Sequence, residues 1–200
     1  MNAEPALPKI GEVIEASTAS FTAQSYELWE LPPLGSLVRT SDGGLELYGL
    51  VCRATTSGIE PGRKAIARGK DEATEEGVFQ ANPQLARLLK SEFTVLLVGF
   101  KDGVAMRRYL PPHPARIHAF VYQCSPAETL VFSEKLDFLN IVLKSEVDIP
   151  AEEFAGAVLR QLAESQQNRH GFLVEAGREL ARLLSKDYSQ LKAILERIKP

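Results

Sequence analysis

Two hydrophobic periods divide the chain. From residue 10 to residue 56 apolar side chains alternate with polar ones in short runs broken by glycine, proline and aspartate; beyond Pro150 they recur at every third or fourth position. Alternation puts successive side chains on opposite faces of a strand, whereas the second spacing lines one side of a helix. A chain that carries both in separate blocks is restricted to an α+β arrangement, with antiparallel strands first and helices after them.

The strand block reads as consecutive hairpins. IGEVIEA (10–16) opens it, and FTAQSYELW (21–29) follows until Pro32 and Pro33, which donate nothing to a ladder, end the run. GSLVRT (35–40) is the third strand, Asp42-Gly43-Gly44 supplies a turn with positive backbone angles, and LELYGLVCRATT (45–56) is a longer fourth. Leu45, Leu47, Gly49 and Val51 share one face of it, and a glycine in mid-strand predicts the bulge or bend by which a small sheet coils into a barrel. EFTVLLVGF (92–100) has no polar face and is expected to be buried on both sides. Lys101-Asp102-Gly103 then turns the chain into VAMRRYL (104–110), and RIHAFVYQC (116–124) completes the set.

Residues 58–81 show neither period and predict a long surface connection. A short helix is expected over 83–90, with Asn82 as its cap, Pro83 at its first position and Leu85, Leu88 and Leu89 on one side. Together these form an excursion from the barrel over 58–91.

In the helical block Ser125 is expected to cap a helix starting at Pro126, and 138–144 to continue helical against the resistance of two β-branched residues. Pro150 followed by Glu152 and Glu153 marks a firmer start, with the acids near the positive end of the helix dipole. Phe154, Val158, Leu159 and Leu162 repeat at helical spacing; Leu173, Leu180, Leu184, Leu191, Leu195 and Ile198 do so after Asn168, with a break at 185–187. The expected organisation is a closed or partly open antiparallel β-barrel over 1–125 and a helical region over 126–200. That region is a helical hairpin or small bundle, mainly in 150–200.

Composition excludes several classes. With 200 residues, 44% of them apolar and 24% charged, and a net charge of -3, the chain is neither disordered in bulk nor coated with the basic surface of a dedicated nucleic-acid binder. Residues 1–8 lack the charged-then-apolar pattern of an export signal. The longest apolar run, 93–100, is far shorter than the ~20 residues that cross a bilayer. A cytoplasmic location without membrane association is therefore expected. Cys52 and Cys124 stand in separate strand-like runs without metal or redox spacing and are expected as buried, reduced thiols.

Laid out this way, the first 125 residues resemble the HAS-barrel, the small β-barrel that precedes the motor domain of HerA-type DNA-translocating ATPases and is related to the N-terminal barrels of rotary ATP synthase subunits. The likeness rests on IGEVIEAS, PPLGSLVRT, LELYGLVCRATT and the proline-rich exit YLPPHPARIHAFVY. The motor is missing from it. Its phosphate loop needs GxxxxGK[ST] between a buried strand and a helix, and the two lookalikes, GIEPGRKA (58–65) and ARGKDEAT (67–74), have the wrong spacing and no serine or threonine after lysine. The resemblance implies a barrel used for ring assembly or for docking partner proteins, not an ATPase.

No catalytic, cofactor-binding or metal-binding residues are expected, since His113 and His118 have no acid or thiol at ligand spacing. Ser17, Ser20 and Ser25 lie in no nucleophile elbow. The basic string RRYLPPHPARIH supplies Arg107, Arg108, His113 and Arg116 as candidate contacts to an anion or an acidic partner, against the plainer reading of a solvated strand end. The stripe Leu173, Leu180, Leu184, Leu191 and Leu195 must be covered, either within the chain or by a partner or second copy. These features favour a non-enzymatic assembly or adaptor protein that forms homo-oligomers or docks to a partner such as an ATPase. A nucleic-acid accessory that binds phosphates through a basic barrel face is the alternative.

Overall fold

The structure, a computed structural model, describes residues 8–60, 62 and 64–199; most of the expected signal-free start, residues 1–7, lies outside them. Six antiparallel strands close into a barrel: β1 (Lys9–Ala16), β2 (Ser20–Ser25), β3 (Leu37–Ser41), β4 (Glu46–Gly58), β5 (Leu89–Asp102) and, after the short β6 (Ala105–Arg107), β7 (Phe120–Gln123). Around the barrel the order is β2-β1-β7-β3-β4-β5, closed by pairing of β2 with β5, while β6 hangs on the end of β5. Closure removes the exposed sheet edges that open sheets must protect.

Alternation explains why the barrel has two cores. Val13, Phe21, Val38, Leu47, Phe93 and Val121 point inward. On β3, β4 and β5 the intervening residues are apolar too: Leu37, Tyr48, Leu50, Cys52, Leu96 and Val98 face outward into a second core shared with the helices. The run at 92–100 is therefore apolar on both faces because both are covered, as its composition predicts. The expected irregularity at Gly49 is a register shift between Tyr48 and Gly49, and a Cβ there would lie 2.4 Å from Cγ1 of Val95 inside the barrel.

The helices are α1 (Glu75–Ala81), α2 (Pro126–Ser133), α3 (Leu139–Lys144), α4 (Ala151–Glu164), α5 (Arg169–Leu183) and α6 (Tyr188–Ile198). Ser125 caps α2 through a complete capping box with Glu128, and Asn168 and Asp187 cap α5 and α6 with their side chains. α4 is the central helix: Phe154 through Leu159 are buried without interruption, because the barrel covers one side and α5 and α6 the other. Gly35, at φ +83°, leads into β3 where a Cβ would stand 2.5 Å from the backbone nitrogen of Val158, so the strand approach and α4 touch backbone to backbone. Arg197 of α6 pairs with Glu153 of α4 and clamps their ends together.

Several local expectations need correction. β2 stops at Ser25, whose hydroxyl lies within hydrogen-bond reach of the Ile10 and Glu30 carbonyls where the chain bends away; in the turn that follows, Trp29 adopts a left-handed backbone (φ +70°) that a bulky side chain reaches only under constraint. Its N–H donates to Ser91 Oγ at 2.9 Å and its ring meets Phe79 of α1 edge-on at 5.0 Å. The strands expected over 104–110 and 116–124 shrink to β6 and β7, since Pro111, Pro112 and Pro114 occupy the connection and His118 also turns left-handed (φ +67°). Within the excursion α1 was not expected; Thr74 caps it by accepting from the Gly77 N–H. Asn82 does not cap the following turn, which is a 3-10 helix over Pro83–Leu88; its side chain instead donates to the Val78 carbonyl and closes α1.

Candidate functional site

The helices cover only part of the barrel's outside. β3, β4 and β5 lie beneath them, whereas β1, β7 and the neighbouring end of β2 present their outer residues to solvent. On this bare wall β1 contributes Lys9, Glu12 and Ile14, and β7 contributes Phe120 and Tyr122, with Glu12 directly opposite Phe120 in the antiparallel register. Tyr26 reaches over from the end of β2.

These side chains are organised by one another. Glu12 sits at the centre: its Oε1 pairs with His118 Nδ1 at 2.5 Å, and Tyr26 donates its hydroxyl to Oε2 at 3.1 Å. The His118 hydrogen bond, then that of Tyr26, holds the Glu12 carboxyl below its ordinary value, while burial and then the Glu12 contact push the Tyr26 phenol upward. His118 is aimed at Glu12 by its left-handed turn, in which its N–H donates to the Val13 carbonyl and Ala119 N–H returns to Arg116. Histidine is among the residues that tolerate this backbone best. Beside the trio the Lys9 ammonium lies 3.6 Å from the centre of the Phe120 ring.

Where the wall meets the helices, charge takes over from aromatic contact. Arg39 of β3 lies 4.8 Å from the Tyr122 ring centre and 3.4 Å from Glu46 of β4, and Lys101 of β5 joins Glu46 from the other side at 3.6 Å. Arg39 also meets Glu128 of α2 at 2.9 Å, an ion pair whose angle leaves its buried Nε without a hydrogen bond. Glu128 is thus both a helix cap and a tie between α2 and the barrel.

What remains exposed is an apolar and aromatic patch: Ile14, Tyr26 and Phe120 are 41%, 48% and 40% accessible, within a frame of fixed charges. Aromatic side chains framed by polar ones are the composition in which the centres of protein interfaces are enriched. Among the described residues no three His, Cys, Asp or Glu side chains gather closely enough to hold a metal ion. No described helix is long and apolar enough to cross a membrane.

The basic string does not form one cluster. Arg107 is exposed at the end of β6, opposite Phe100. Arg108 is committed to the fold, donating to the Phe132 and Val131 carbonyls at 2.6 and 2.7 Å and so capping the end of α2. His113 is exposed in the proline-rich connection, and Arg116 lies along the β3–β4 turn at Gly43. Of the leucine stripe, Leu173 and Leu180 are buried in the chain's own core and offer a partner no surface, while Leu184, Leu191 and Leu195 pack against that core and stay partly accessible. The wall residues were missed because no local pattern joins them, although Ile14 and Phe120 are apolar on the strand faces opposite Val13 and Val121. No protein-family model matches the chain, and no curated protein matches it.

Proposed function

We propose that this chain is a non-enzymatic assembly or adaptor protein, a stand-alone barrel of the HAS-barrel kind, whose bare wall of β1, β7 and Tyr26 docks to a second copy or to a partner such as an ATPase. The observation that supports it is the uneven covering of the barrel. One half of the outer wall is packed under the chain's own helices, and the other carries Ile14, Tyr26 and Phe120 in the open among pre-paired charges. Pre-pairing lowers the cost of ordering side chains on binding, which is a property of interface residues. The nucleic-acid reading has less behind it, since Arg108 is occupied by α2 and Arg107 and Arg116 lie at separate turns.

The test combines light scattering of the purified chain with capture from extract of its native source, using wild type and an Ile14→Asp/Phe120→Asp variant as baits. Self-association or a specific partner that the variant loses is the expected result. A strictly monomeric chain, or a partner that the variant retains in full, overturns the proposal.

A further inference from the structure

The excursion between β4 and β5 holds a second surface of different chemistry. Its walls are α1, the 3-10 turn and the irregular stretch over 64–70, and they enclose a half-open groove of about 480 Å³. Ile59, Ile66, Val78, Phe79, Leu85 and Leu88 line it, and three of these are unusually open for aliphatic groups: Ile66 is 71% accessible, Ile59 and Leu88 50% each. The frame is held in place. Ile59 N–H donates to the Leu88 carbonyl at 2.9 Å across the base, Trp29 braces Phe79, and Thr74 and Asn82 close the two ends of α1.

The rim is cationic. Lys64, Arg68 and Arg87 line the groove, and none of the three makes an ion pair among the described residues. Glu60 is the one carboxylate among the described lining residues; Asp71, Glu72, Glu75 and Glu76 of the same excursion do not line it. An occupant must therefore be apolar on one side, negative along its edges and polar on the side that stays in water. A fatty chain brings a single anionic head to three cations, and a nucleic-acid duplex keeps its bases stacked inside and presents phosphates rather than apolar groups to the floor. An amphipathic helix meets all three conditions, with its anchors at i, i+3, i+4 and i+7.

We propose that this groove docks an acidic amphipathic segment of a partner protein, whose apolar side chains fill the floor and whose carboxylates meet Lys64, Arg68 and Arg87. The inference rests on the adaptor reading and names the chemistry of one partner. It uses a surface distinct from the bare wall, so the chain presents two docking faces.

The probe is a phage-displayed library of random 16-residue peptides, selected on the full chain and counter-selected on a Lys64→Glu/Arg68→Glu/Arg87→Glu variant whose fold is checked by circular dichroism. The expected result is enrichment of sequences with Asp and Glu flanking apolar residues at helical spacing. A synthetic peptide of the leading sequence should bind the wild type at least about tenfold more tightly than the charge-reversed variant, and more weakly as salt rises. It should also lose affinity for an Ile66→Asp variant. No enrichment, enrichment of basic or uncharged sequences, unchanged affinity for either variant, or displacement of the peptide only by oleate or duplex DNA overturns the inference. Failure here with assembly still abolished by Ile14→Asp/Phe120→Asp removes the groove alone. Loss of wall-dependent assembly, with acidic peptides still selected, removes the wall.

Discussion

Cys52 and Cys124 are buried, unpaired thiols. Burial pushes the Cys52 thiol up to about 11 and the Cys124 thiol also well upward, and Cys52 donates to the Thr94 carbonyl at 3.4 Å. Against an ordinary value of 9.0, the Cys52 rise cuts its thiolate fraction at pH 8 by about a hundredfold. Both thiols are expected to resist Ellman's reagent in the native protein and to react fully in 6 M guanidinium, the two readings of one titration. Glu12 gives a prediction of opposite kind, on the surface. Its folded value is depressed, so its contribution to stability is complete above the ordinary 4.5 and disappears as pH falls through the lower folded value. Urea midpoints of wild type and Glu12→Gln should therefore differ at pH 7 and converge on acidification. A constant difference across that range would show that the carboxylate is not held by His118 and Tyr26.

Phe132 shows what holds the elements together. It is fully buried, stacks on Tyr48 at 5.8 Å, tilts against Phe138 at 5.0 Å and lies under the Arg108 guanidinium, so one ring joins α2, α3 and the barrel wall. Phe132→Ala is expected to cost about 3–5 kcal/mol in denaturant unfolding, the range for deleting a buried phenyl ring. A cost under about 1 kcal/mol would mean that the helical layer is not coupled to the barrel. At this scale the sequence was most informative where one period ran without interruption. The doubly covered β5, the bulge at Gly49, the Ser125 cap and the helical tail with its break before Tyr188 all follow from local spacing, which left a hairpin and a small bundle open for that tail. Spacing failed at Trp29 and His118, because a left-handed residue within an apparently continuous alternation leaves no mark on it. It also failed at α1, whose boundaries come from Thr74 and Asn82 rather than from an apolar stripe. The wall was illegible for a further reason: Glu12 and His118 are 106 residues apart and meet only because β1 and β7 are paired neighbours in the sheet.

For the molecule as a whole, the barrel acts as a partition. Its β3-β4-β5 side is consumed in packing the helices, and the buried Leu173 and Leu180 turn the tail inward onto α4. The two faces proposed for contact lie on the opposite side and on the excursion, so assembly through them should proceed without disturbing the core. Hydroxyl-radical footprinting of the assembled form recovered from the native source, against the isolated chain, measures this most directly, because accessible aromatic side chains report on both halves of the surface. Tyr26 and Phe120 on the wall should lose most of their oxidation on assembly, while Tyr188 on α6, 76% accessible, should stay as reactive as before. Protection of Tyr188 with Tyr26 and Phe120 still oxidised would contradict the bare wall as the assembly face.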